Sequence, residues 1–446
     1  AASAGLLPEL PAAAAATSPS AMGPIVRAIS AQPVAPGATG AAPGATSPGG
    51  PAAVGYPEMP SHAAWAPSSV VSSCIPPSEL AWVLQETAAA VLAGLPPWPA
   101  DSVPSSVASP VLAFLVQVSF APQLPVLART FRRIYDTRDV FMYLVDRELM
   151  MPDDVLEVLP SPLPPNVLVH SMRHADYFYW PRVQVLLDGL SSLLQNQWDF
   201  VIHLSESDYP VHSMAWIRQS LAQQRRRSFV QIGPRCTGED PTAARDEWYW
   251  WRRRYAVASC GEGFRPSEVE SVFFPLEELE DKGLVFAHGS EWMVLTRELV
   301  EYATSPELDN FRSLIGMHAG ADEIFWSTLV LNIPNYTQAT SSQRWFIQWR
   351  PGSTDHSPVT LTTEHLPNIL ADREQYLFMR KVHPETSAEL MEHMDLLFDN
   401  GLAEEAPQGP ADWAWSGGAV ACQRGSAASP DSYPAPAPSA VSSLRP

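Results

Sequence analysis

Four groups of residues have types and spacings that chemistry uses. Glu206 and Asp208 form an acid-x-acid pair in WDFVIHLSESDYP (Trp198 to Pro210), directly after the apolar run Phe200, Val201, Ile202 and Leu204. Such carboxylates offer the oxygen ligands that hard divalent cations prefer. The plainer reading has Asp208 capping the turn before Tyr209-Pro210 and Glu206 solvated. Glu323 stands in the first turn of the apolar segment ADEIFWSTLVLN. The helix dipole stabilises a carboxylate there, which alone accounts for it; the functional reading is a general base at a cleft. Arg380 and Lys381 follow a predicted short strand, Tyr376 to Phe378. Adjacent cations at a strand end can clamp a diphosphate, Arg by a planar fork and Lys as a point charge, although solvated pairs are commoner. The fourth group is aromatic: Trp248, Trp250 and Trp251 beside Arg252 to Arg254, with Trp292, Trp345 and Trp349. Aromatic faces beside polar groups suit sugar rings, and the 15 tryptophans of the chain make the group worth weighing, while any single Trp is more commonly core.

The elements that must position these residues follow a βαβ rhythm. Apolar runs predict strands at Val111 to Val118, Val140 to Val145, Val167 to Val169, Trp198 to Leu204 and Phe229 to Ile232. Between them lie helical patterns at Leu124 to Tyr135, Arg182 to Leu194 and Met214 to Gln224. Pro181 suits the first turn of its helix, where no N–H partner is needed. This alternation predicts an α/β fold, a mostly parallel sheet with helices on both faces and right-handed crossovers. Ligands of open α/β sheets sit outside the carboxyl ends of the strands, which is where Glu206 and Asp208 fall. After an aperiodic stretch, Gly233 to Lys282, come a strand at Trp292 to Leu295, helices from Arg297 and from Asp322, a strand at Trp345 to Trp349 and a last helix before Asn400.

Composition divides the 446 residues. Residues 1–107 are dominated by Ala, Pro, Gly and Ser, with too few large apolar side chains to offset the entropy of ordering; they read as a disordered stalk or linker. Residues 405–446 have the same character. The remainder, 108–404, has the size of one α/β domain. A net charge of −20 argues against a nucleic-acid binder, which needs a cationic face. Cys236 and Cys260 are the two cysteines of the core, open to pairing in an oxidising compartment. Asn335-Tyr336-Thr337 is a glycosylation sequon on a predicted loop. No apolar run approaches the twenty residues of a membrane span, and with Ala1 in first place an anchor could precede this chain.

Seven blocks taken in order resemble the glycosyltransferase family of core-2 and I-branching β-1,6-N-acetylglucosaminyltransferases, peptide O-xylosyltransferases and plant β-glucuronosyltransferases. They are FRRIYDTRDVFMYLVD (Phe131 to Asp146), WDFVIHLSESDYPV, HGSEWMVLTRELVEY (His288 to Tyr302), ADEIFWSTLVLNIP (Ala321 to Pro334), the paired Trp345 and Trp349, DHSPVTLT (Asp355 to Thr362) and LFMRKV (Leu377 to Val382). The resemblance implies a GT-A-like fold and an inverting enzyme that takes a UDP-sugar without a metal ion or other cofactor. It gives Glu323 the role of catalytic base, Arg380 and Lys381 the donor diphosphate, and Asp146 a place near the uridine. Glu206 and Asp208 then lose their metal role, and Asp208 holds the loop under the donor. Glu291, Trp292, Trp345 and Trp349 fall to the sugar and acceptor side. The implied setting is a type II Golgi enzyme with a lumenal catalytic domain and a glycan or glycoprotein acceptor. Departures touch the donor: Gln117 to Ala121 lacks the His-Gly of many relatives, Glu291 stands where xylosyltransferases carry Asp, and Pro181 replaces a common Gly. Two other readings remain: a glycoside hydrolase pairing Glu206 or Asp208 with Glu323, and a catalytically silent sugar-binding module on the same fold. The basic pair argues against the first and Glu323 against the second.

Overall fold

The computed structural model describes residues 77–99, 109–173, 175, 179–224, 227–232, 259–260, 263–264, 274–336, 339–340, 344–349 and 357–399. The elements are α1 (Pro77–Leu92), β1 (Leu112–Val118), α2 (Leu124–Ile134), β2 (Val140–Asp146), α3 (Pro152–Val158), β3 (Val167–Met172), α4 (Trp180–Leu193), β4 (Phe200–Ser205), β5 (Tyr209–Pro210) and α5 (Met214–Gln223). There follow β6 (Ser228–Phe229), a small hairpin of β7 (Ser259–Cys260) and β8 (Gly263–Phe264), α6 (Leu276–Asp281), β9 (Val294–Thr296), α7 (Arg297–Thr304), α8 (Asp309–Gly316) and α9 (Ala321–Asn332). The last are β10 (Ala339–Thr340), β11 (Trp345–Ile347), α10 (Leu366–Ala371), β12 (Phe378–Arg380) and α11 (Ala388–Asp399).

The main sheet runs β10-β6-β9-β4-β1-β2-β3. Its centre is parallel, β4 with β1, β1 with β2 and β2 with β3, while β9 runs antiparallel to both β4 and β6. The fold is therefore mixed and mostly parallel. Period-two alternation assigns the faces: Ala113 and Leu115 of β1 join one core with α1, α4, α7, α8 and α9, and Leu112, Phe114, Val116 and Val118 join the other with α2 and α5. The central strands are buried on both sides, which is why they read as unbroken apolar runs.

A second sheet carries the basic pair. β12 pairs in parallel with β11 and antiparallel with β5. Its register sets Phe378 against Pro210 and Met379 against Tyr209, and the Val382 N–H then donates to the Ser207 carbonyl at 3.0 Å. α11 locks this sheet to α2: Asp395 accepts from the Tyr209 hydroxyl at 2.5 Å and pairs with Arg129 and Arg133, each at 2.6 Å.

Two readings of the sequence need correction. Residues 77–99 are not part of an unfolded arm. In α1, Leu80, Val83, Leu84, Ala88 and Val91 are buried in the same core as Phe311, Leu314 and Ile315 of α8, and the segment after it is tied by Trp98 N–H to the Pro334 carbonyl (3.2 Å) and by the Tyr302 hydroxyl to the Pro96 carbonyl (2.6 Å). The rest of 1–107 lies outside the described residues apart from 77–99, as do all of 405–446, Cys236 and the Trp248 to Arg254 cluster. The second correction concerns β12, which spans Phe378 to Arg380, so Arg380 ends the strand rather than following it.

Candidate functional site

β4 delivers the acidic turn. Asp208 is fully buried and folds back on its own strand: one carboxylate oxygen accepts from the Ser205 N–H at 2.5 Å and the Ser205 hydroxyl at 2.9 Å. The Arg380 guanidinium donates to the Ser205 hydroxyl and stands 3.5 Å from the same Asp208 oxygen. Asp208 thus holds the turn and faces the cation. Burial pushes its carboxyl up, against the Arg380 charge and the Ser205 bonds that pull it down. Glu206, also buried and also pushed up by burial, accepts from Ser119 at 3.4 Å. Among the described residues no three His, Cys, Asp or Glu side chains group as metal ligands.

The Arg380 guanidinium carbon stands over the Trp292 ring, 3.8 Å from its centroid, and Trp292 stacks at 5.0 Å and 21° on the His203 imidazole. His203 is held by its Nδ1, which donates to the Glu291 carbonyl at 2.7 Å. The Glu291 carboxylate takes a two-pronged pair from Arg182 in the first turn of α4, at 2.6 and 3.0 Å. Burial raises the Glu291 carboxyl, but the charge and hydrogen bonds of Arg182 outweigh it, with His203 and Arg380 adding to the pull, and the net direction is down. Lys381, joined to Arg380 by a cis peptide bond, is half-buried and donates to Ser357 at 2.8 Å. Burial and then the Arg380 charge lower its pKa, against Glu206, Asp208 and Glu291.

Glu323 enters from α9. Gly320 takes a left-handed conformation, φ 83°, to start the helix, and the Glu323 carbonyl accepts from the Gly289 N–H at 2.7 Å. That contact ties α9 to the segment leading into Glu291 and Trp292. Gly289 is itself clamped, since a Cβ there would sit 1.8 Å from the Gln231 carbonyl oxygen. The Glu323 side chain is partly exposed and in contact with neighbours.

The other residues singled out by the sequence fall differently. Asp146, buried at the end of β2, accepts from the Glu148 N–H at 3.1 Å and the Ala175 N–H at 3.3 Å, so it shapes the loops beyond two strands. Trp345 does not suit a sugar subsite: it is 1 % exposed, packs in the core and stacks on Phe378 at 5.7 Å. Trp292, 5 % exposed, is likewise turned inward, on Arg380 and His203. Trp349 is the exposed one, at 55 %. Asn335 is exposed in the turn after α9 at φ 63°; Thr337 of its sequon lies outside the described residues.

Sequence reasoning missed Arg182, His203, Ser205 and Ser119. A histidine inside an apolar strand was the one local signal; the partners of the others are remote along the chain. Three polar side chains at this edge are buried with atoms that find no hydrogen-bond partner among the described residues: the Gln117 amide, His203 Nε2 and the second Asp208 oxygen. Unsatisfied buried groups are rare in folded proteins.

A polar, charged cluster at the carboxyl edge of a mixed α/β sheet is the arrangement of a ligand-binding enzyme site, and the class is that of the glycosyltransferases. Residues 112–370 match the Core-2/I-Branching enzyme family, and the chain belongs to that family. It is 30% identical over 135 residues to "Xylosyltransferase oxt" of Drosophila pseudoobscura pseudoobscura, a match covering 28% of this chain and 13% of that protein. With "Xylosyltransferase oxt" of Drosophila melanogaster it shares 26% identity over 227 residues, 45% of this chain and 23% of the relative. The match thus spans under a quarter of either relative. Among solved structures, the bifunctional glycosyltransferase WbbM is similar at a TM-score of 0.35 and 11% identity, over 63% of this chain and 48% of that one.

Proposed function

We propose that this chain transfers xylose, N-acetylglucosamine or glucuronic acid from a UDP-sugar to a hydroxyl of a glycan or glycoprotein, with inversion and without a metal ion. The observation that carries the reading is the placement of Arg380 against Ser205 and Asp208 at the turn after β4, with Lys381 next to it in the chain, in a protein that belongs to this family and whose net charge is −20. An anionic donor needs a local cationic seat in such a molecule, and β12 builds one at the ligand edge.

Glu323 takes the proton from the acceptor hydroxyl as that oxygen attacks the anomeric carbon from the side opposite the leaving group. The glycosidic C–O bond breaks with its electron pair going to the departing UDP. Arg380 and Lys381 meet the growing charge on the diphosphate, the role a divalent cation fills elsewhere. One carboxylate is sufficient for a single displacement, whereas a retaining glycosidase needs a facing pair. Asp208, already bonded to Ser205 and facing Arg380, supports this division, because a guanidinium beside it competes with any cation. Asp146 orders the loops on which the uridine rests. Glu291, kept ionised by Arg182, retains lone pairs for sugar hydroxyls, and Trp349 is the aromatic face open to an acceptor. The relatives' name keeps xylose among the donors, while the longer Glu291 keeps the others. Passage through the Golgi lumen behind an N-terminal anchor, and a glycan on Asn335, belong to the same reading; no helix among the described residues is long and apolar enough to cross a membrane.

The test is UDP release from purified protein offered UDP-xylose, UDP-N-acetylglucosamine and UDP-glucuronic acid, each with and without glycan acceptors. One donor is expected to give acceptor-dependent release. If no donor were turned over and UDP did not bind, the proposal would be overturned.

A further inference from the structure

We propose that His203 is a positioning residue for the reaction, acting through Trp292 to hold the Arg380 guanidinium in the place where it meets the diphosphate. The proposal rests on the reading of Arg380 as a diphosphate group. Among the described residues Arg380 has few other restraints: it ends β12, its guanidinium donates at close range to the small Ser205 hydroxyl, and Asp208 is 3.5 Å away. The largest surface against the guanidinium is the Trp292 ring, whose centroid lies 3.8 Å from the guanidinium carbon, and a cation seated on a ring face at that distance is attracted by it. That indole is in turn stacked on His203, and His203 cannot rotate without breaking the bond from its Nδ1 to the Glu291 carbonyl at 2.7 Å.

The bond also fixes the chemistry of the imidazole. A carbonyl oxygen only accepts, so Nδ1 carries the proton and the uncharged ring has its lone pair on Nε2. Nε2 is buried and finds no hydrogen-bond partner among the described residues. Burial pushes the His203 pKa down to about 4, so the ring is neutral at physiological pH. A neutral ring matters for the stack. An imidazolium would put a second cation beside the indole that Arg380 uses, and the ring quadrupole would be shared between like charges. His203 is thus a flat, uncharged and anchored backing for Trp292.

The experiment is calorimetric titration of the full chain with UDP, for the wild type, His203→Gln, His203→Leu, Arg380→Ala and each double variant, with thermal melts to check folding. His203→Gln keeps a donor for the Glu291 carbonyl and removes the ring, so it serves if His203→Leu fails to fold. Removing the ring is expected to weaken UDP binding about three- to ten-fold in the wild-type background and to change it by less than about two-fold when Arg380 is already Ala, because contacting residues couple and independent ones add. His203→Phe, which restores a flat neutral ring, is expected to recover most of the affinity. Equal losses in both backgrounds, or no loss in either, would overturn the proposal while Arg380→Ala still weakened binding. If Arg380→Ala itself left UDP affinity unchanged, the diphosphate reading would be the one to fall.

Discussion

At the scale of the residue, three side chains separate binding from chemistry. Glu323→Gln removes a proton acceptor and leaves the basic pair intact, so UDP affinity should be kept while transfer slows by about 10²- to 10⁴-fold; steady-state turnover and calorimetry on one preparation check both halves, and equal turnover would remove Glu323 from the mechanism. Arg380→Ala and Lys381→Ala should each weaken UDP binding by roughly ten- to a hundred-fold, the range for a charge-assisted contact in a partly desolvated cleft, and should slow turnover together with binding. Glu291→Gln removes the carboxylate that takes a two-pronged pair from the buried Arg182 guanidinium, a loss of about 3 kcal/mol. The sign with pH follows from the lowered carboxyl of Glu291. The pair stabilises the fold fully above the ordinary glutamate range and is lost as pH falls through the depressed folded value, so the melting difference between wild type and variant should be largest near neutrality and shrink in acid. None of these partnerships was legible locally: Arg182 and Glu291 stand 109 residues apart and Arg380 and Ser205 stand 175 apart.

At the scale of the element, legibility followed length and composition. β1, β2 and β4 were plain because strands buried on both faces must be continuous in apolar residues. β5, β6 and β10 are two-residue strands whose existence depends on a neighbour, and no local pattern of that length is informative. α1 was hidden by its setting, an alanine-rich segment inside an Ala/Pro-rich arm, although its buried positions recur at helical spacing from Leu80 to Val91. Deleting residues through 99 should therefore uncover the α8 side of the core. With six buried apolar side chains withdrawn, Trp98 among them, the cost is at least on the order of 5 kcal/mol, read as a lower melting temperature and a poor soluble yield; an unchanged melt would show α1 to be dispensable. The segment before β9 offers a sharper case. Gly289→Ala drives a methyl group against the Gln231 carbonyl oxygen, and either the backbone shifts or Glu291 and Trp292 move with it.

At the scale of the whole molecule, a chain of net charge −20 carries the Arg380 cation at the carboxyl edge of its sheet. If Arg380 and Lys381 neutralise the diphosphate, activity should survive excess EDTA, measured as UDP release before and after chelation. Complete loss restored by Mn²⁺ would return Glu206 and Asp208 to a metal site. The small sheet carries one further consequence. β5 finds its partner only in β12, and the α2 arginines Arg129 and Arg133 find Asp395 only in α11. A ribosome delivers the strands of the main sheet, the turn after β4 and the helix bearing Glu323 well before residue 380 emerges. Of the residues given roles in the proposed reading, Arg380 and Lys381 come last in chain order. On the proposed reading, a chain ended before residue 380 would carry Glu323 without the residues that grip the diphosphate, and so could not hold a donor to spend.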